Sequence, residues 1–188
     1  MSQNDTTQPT LFTVAVFAEN HVGLMNQLSI IFTRRCVNIE SISASCCSIP
    51  NVHKITLSCY SDRPTMEKII KQIEKRIDVL RAFLYTDDEI VYQEVALYKV
   101  PIARLIDETD LEDIIRRHGA RILEINRHNV IIEKTGHNDE TEALFNELRR
   151  YDIRQFVRSG RVAITKSPAE LVDRFISEQE ERRLRIEP

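Results

Sequence analysis

The chain is 188 residues long, 42% hydrophobic and has a formal net charge of -3, enough apolar material for one medium domain or two small ones. Its charges are mixed in sign along the sequence, so no basic footprint invites nucleic acid, and no apolar run approaches the ~20 residues that span a bilayer. The leading segment, "MSQNDTTQPT", lacks the charged and apolar regions of a signal peptide, so the expectation is a cytoplasmic protein without nucleic-acid or membrane partners. Residues 1–9 read as a disordered tail.

In chain order, "LFTVAVFAE" (11–19) alternates as a strand does, and residues 22–36 then place Leu24, Leu28, Ile31, Phe32 and Arg35 at helical spacing. "NIESISASCCS" and "VHKITLSCYS", parted by Ile49, Pro50 and Asn51, read as a hairpin. A second helix, "RPTMEKIIKQIEKRID", carries Met66, Ile69, Ile70, Ile73 and Ile77 on one stripe and leads into the strand "VLRAFLYT". This is the βαββαβ order of a ferredoxin-like unit.

The same order recurs in residues 94–166: "EVALYKV", "ETDLEDIIRRHG", the hairpin "ARILEIN" and "NVIIEKT", the helix "DETEALFNELRRYD", and a final strand "IRQFVRSGRVAIT" bent at Ser159 and Gly160. The expected fold is therefore α+β, with two ferredoxin-like domains in tandem at 10–88 and 89–166 and the acidic "TDDE" as the joint. Residues 167–188 are expected to form a C-terminal helix and tail, with Pro168 in its first turn.

Cys36, Cys46, Cys47 and Cys59 have no C-x-x-C spacing, and the five histidines include no i, i+4 pair, so reduced thiols and no metal site are expected. There is no G-x-S-x-G, Walker loop or G-x-G-x-x-G, and His21 and Cys36 fall at opposite ends of one helix, so no catalytic residue is assigned. Gly23 stands between the first strand and the first helix, where the amides of Gly23, Leu24 and Met25 open the helix and can accept a carboxylate or phosphate. Asn20 before this loop and Asn38 ahead of the second strand read as flanking the same end of the sheet, each with a donor and an acceptor, a mixture suited to an amino acid. On physical grounds alone, a turn glycine flanked by loop-forming asparagines explains the pattern equally well.

The stretch "ENHVGLMNQLSIIFTRRCVNIESIS" resembles the first loop and helix of ACT domains, and specifically those of the regulatory small subunit of acetolactate synthase, with E-N-x-x-G-x-L followed by F-x-x-R-G-x-N-I-E-S-L. Phe32, Arg35, Asn38, Ile39, Glu40 and Ser41 stand at that family's spacing, and the resemblance continues through "IDVLRA", "EVALYKV" and "VRSGRVAIT". It implies a non-catalytic subunit, with no cofactor of its own, that activates a catalytic large subunit using thiamine diphosphate and magnesium. It also implies a homodimer through the ACT domains and feedback inhibition by a branched-chain amino acid, chiefly valine. By carry-over, Asn20, Gly23, Leu24 and Met25 of one chain and Asn38 and Ile39 of the other hold the effector. The alternative is a free-standing ACT-domain amino-acid sensor regulating another enzyme, which has no need of the "VRSGRVAIT" segment. The chain departs from the family with Val22 for proline or serine, Leu24 for alanine or valine, Met25 for leucine, Gln27 for arginine and Cys36 for glycine. Cys36 is expected to adopt, at the end of its helix, a backbone conformation that glycine accepts more easily.

Overall fold

A computed structural model describes residues 9–104, 110–168 and 177. The first sheet contains β1 (Thr10–Glu19), β2 (Ser41–Cys46), β3 (Val52–Ser61) and β4 (Val79–Tyr85), in the antiparallel order β2-β3-β1-β4. Strand alternation sends Phe12, Val14, Val16 and Ala18 of β1 into the same core as Ile55, Leu57 and Cys59 of β3. Two helices complete that core. Helix α1 (Leu24–Thr33) contributes Leu24, Leu28, Ile31 and Phe32, and α2 (Arg63–Ile73) contributes Met66, Ile69 and Ile73.

Local chemistry sets the ends of these elements. Asp62 caps α2, its carboxylate accepting from the Thr65 amide at 2.8 Å, and this bond holds the Asp62 carboxyl below its usual range. The expected stripe on α2 is about one turn too long. The helix ends at Ile73, the Arg76 amide turns back to the Ile73 carbonyl at 3.0 Å, and Ile77 is 97% exposed. Residues 87–89, in the "TDDE" joint, form a single turn of 3-10 helix boxed by Thr86 and Glu89.

The second sheet repeats the first. Its strands β5 (Ile90–Pro101), β6 (Arg121–Ile125), β7 (Asn129–Gly136) and β8 (Gln155–Arg158) take the order β6-β7-β5-β8, with α3 (Leu111–Arg117) and α4 (Asn138–Leu148) supplying the helical side of the core. The expected bent final strand is two strands on one partner: β8 and β9 (Val162–Thr165) both pair with β5. Ser159 bridges the interruption, its amide donating to the Val95 carbonyl at 2.8 Å and its Oγ accepting from the Val95 amide at 2.9 Å.

The chain divides into two compact units, one running to Val91 and resuming at Ala163, the other comprising Tyr92–Val162. In the first unit the Lys54 ammonium on β3 donates to the carbonyl of Ala163, and the Lys166 amide donates to the Glu89 carbonyl at 2.9 Å. The tail read over 1–9 and the helix read over 167–188 lie mainly outside the described residues. Among the described residues no helix is long and apolar enough to cross a membrane, and no group of three potential metal ligands occurs. All four cysteines are free.

Candidate functional site

Gly23 owes its place to a turn. The Leu24 amide donates to the His21 carbonyl at 3.3 Å, closing a four-residue turn in which Gly23 has φ 90 and ψ -6. Those angles are what the third position of a type II turn demands, and a side chain there is strained. Space is not the constraint, because a Cβ on Gly23 would meet nothing within 4 Å. The first bond of α1 runs from the Gln27 amide to the Gly23 carbonyl at 3.0 Å, so the amides of Met25 and Asn26 have no acceptor inside the helix. Beside them Val22 is fully exposed and Met25 is 39% exposed, whereas the Leu24 side chain is buried in the core. Leu24 therefore anchors the turn, and the apolar surface it leaves open belongs to Val22 and Met25.

Asn20 and Asn38 do not flank one end of the sheet. Helix α1 runs back along β1 for ten residues, about 15 Å, so Asn20, Gly23 and Met25 lie at its start and Asn38 and Ile39 beyond its end. Asn38 is exposed, precedes β2 by three residues and donates to the Glu40 carboxylate at 3.1 Å. Ile39 is half-buried against the core. A single chain thus brings Asn20, Gly23, Leu24 and Met25 together and holds Asn38 and Ile39 apart from them.

The segment between these two groups ends as expected from Cys36. Its φ is 54, in the left-handed region. The Cys36 amide donates to the Thr33 carbonyl at 3.0 Å and the Val37 amide to the Phe32 carbonyl at 3.1 Å, the paired bonds of a Schellman motif. Val37 packs on the core beside it.

Two features escaped the sequence. His21 Nδ1 lies 2.7 Å from Asp78 Oδ1, and the Glu19 amide donates to the Asp78 carbonyl at 2.9 Å, tying the turn before α1 to the connection before β4. The hydrogen bond to Asp78, with its charge, raises the His21 imidazole above its ordinary value. In the second unit the "VRSGR" segment places Arg158 and Arg161 on the same carboxylate, each 3.4 Å from Glu94. Glu94 and Arg161 are both buried, and the Arg161 guanidinium stacks 3.9 Å from the centre of the Tyr92 ring. The residues of these pairs are 57 and 64 to 67 positions apart in sequence, and only Glu94, Arg158 and Arg161 carry even a faint signal, as charged residues inside strand-like runs.

Both halves of the chain match known proteins. Residues 14–81 match the family described as the AHAS small subunit-like ACT domain, and residues 93–167 that described as the small subunit of acetolactate synthase. The acetolactate synthase small subunit of Bacillus subtilis is 31% identical over 148 residues, covering 78% of this chain and 86% of its own length. That of Mycolicibacterium smegmatis is 28% identical over 156 residues, covering 83% and 91%. Among solved structures, the acetolactate synthase small subunit from Thermotoga maritima has a TM-score of 0.76 at 26% identity, over 85% of this chain and 99% of that one. With both halves matched and most of its length aligned to such relatives, the chain belongs to the acetolactate synthase small subunit family.

Proposed function

We propose that this chain is a non-catalytic regulatory subunit that binds a thiamine-diphosphate-dependent catalytic large subunit, raises its activity, and passes on feedback inhibition by a branched-chain amino acid, chiefly valine. The observation that carries the effector reading is the turn at Gly23, which presents helix-start amides beside exposed Val22 and Met25. The amides suit the effector's carboxylate and the apolar side chains its branched tail. Asn38 and Ile39, one helix-length away, complete the site from a second copy. An isologous contact that sets the start of α1 in one chain against the end of α1 in its partner creates two equivalent sites at once. Strand β2, at the edge of the first sheet with Ile42 exposed, offers the surface for that pairing.

The test is acetolactate formation from pyruvate by a catalytic subunit, with and without this chain, across a range of valine, leucine and isoleucine. The chain alone should make no acetolactate, and the mixture should be faster than the catalytic subunit and inhibited by valine. Gly23→Asp sets a carboxylate against the effector's own and strains the turn, so valine inhibition should be lost while activation persists. Asn38→Ala leaves the turn untouched and should weaken valine inhibition by about ten-fold or more, as expected for one lost hydrogen bond to a charged group. Turnover by the chain alone, or unchanged valine inhibition in Asn38→Ala, refutes the corresponding half of the proposal.

A further inference from the structure

The His21–Asp78 contact is placed so as to bear on the effector turn directly. His21 is the first residue of that turn, its carbonyl accepting from the Leu24 amide, and its own amide donates to the Glu19 carbonyl at 2.9 Å. The last residue of β1 and the first residue of the turn are thereby both fastened to Asp78, Glu19 through its amide and His21 through its ring. The ring meets acid at both nitrogens, with Asp78 at 2.7 Å from Nδ1 and Glu19 at 3.6 Å from Nε2. These two carboxylates, one from the end of β1 and one from the connection ahead of β4, are the charged groups facing His21; the first turn of α1, Leu24 to Gln27, brings neither acid nor base.

A ring with one proton can satisfy one of the two acids, and a ring with two protons satisfies both. The second proton also adds a positive charge two residues before Gly23. The His21 side chain is 56% exposed, so it exchanges protons freely with solvent, whereas Asp78 is only 15% exposed.

We propose that His21 and Asp78 form a protonation-dependent clasp on the effector turn, so that the effector's carboxylate binds more tightly when His21 is doubly protonated. His21 is a positioning residue here, acting through the turn and its amides. The proposal rests on the reading that this turn holds the effector.

The experiment measures L-valine binding to the full chain by calorimetry between about pH 6 and pH 8, a range in which the valine zwitterion does not itself titrate. Affinity should be about five-fold or more higher at the lower pH, the lower end of ordinary allosteric couplings. His21→Gln keeps a donor for Asp78 without a titrating ring, so its valine affinity should be the same at both ends of the range. Asp78→Asn should move the pH of the change downward, and the His21 ring resonance, followed by NMR without valine, should move with it. Valine binding that ignores pH in the parent chain overturns the clasp and leaves the effector site standing. Absence of valine binding at every pH, with the His21 resonance still responding to Asp78→Asn, overturns the effector site and this regulation of it together.

Discussion

Replacing Cys36 by glycine should make the protein more stable. Cys36 holds φ 54 while its side chain is exposed and unbonded to any other described residue. The left-handed conformation costs an ordinary L-residue about 1–2 kcal/mol. Glycine removes that cost but gives back roughly 0.5–1 kcal/mol through its freer unfolded chain. The bonds from the Cys36 and Val37 amides involve backbone alone and survive the change, so the net gain is about 0.5–1 kcal/mol. For a chain of this size, that corresponds to a rise in Tm of about 1–4 °C. Thermal melting followed by circular dichroism under reducing conditions should therefore rank Cys36→Gly above Cys36→Asn, Cys36→Asn above the parent, and Cys36→Val below it. A Cys36→Gly protein that melts at or below the parent temperature, or a Cys36→Val protein that equals the parent, would show that the left-handed cap carries no strain.

In the second unit, Glu94→Ala removes the carboxylate facing a buried guanidinium and should destabilise that unit by about 3–5 kcal/mol in urea unfolding. Adding Arg161→Leu should recover part of the loss, and a Glu94→Ala protein that unfolds like the parent would mean the pair is inert. Thiol labelling of the native chain should modify exposed Cys36 and Cys46 first and Cys59 last, because burial pushes the Cys59 thiol up to about 11. Labelling of Cys59 at the rate of Cys36, read by mass spectrometry of peptides, would contradict its burial. The same thiol binds its proton more tightly folded than unfolded, so its share of stability holds at neutral pH and declines as pH rises from about 9 towards 11.

The core of the first unit was legible because period and burial coincide. Leu24, Leu28, Ile31 and Phe32 recur at helical spacing and all four are buried. Ile77 misled because it continues the stripe of α2 in phase, and nothing between Glu74 and Asp78 is a glycine or proline to announce that the helix has ended. Gly23 and Cys36 were readable as backbone positions, since the demand for positive φ is local. The placement of Asn20 and Asn38 was not, because it depends on the direction in which α1 returns along β1. The His21–Asp78 and Glu94–Arg161 pairs form only once strands distant in sequence lie side by side, and no window of the sequence contains both partners.

The first unit is complete only when the chain has come back to it. The Lys54–Ala163 bond joins residues 109 positions apart, and the sheet residues Thr13, Ala15 and Phe17 share a pocket with Ala163, Ile164 and Thr165. During synthesis, therefore, β1 to β4 can assemble early, but their shared pocket stays unfinished until the whole of Tyr92–Val162 has left the ribosome. A gene cut after the first four strands yields a first unit without Ala163, Ile164 and Thr165. Excising Tyr92–Val162 and joining Val91 to Ala163 through a short turn keeps every residue that lines the pocket, and for that reason it is the shorter chain with the better prospect of folding.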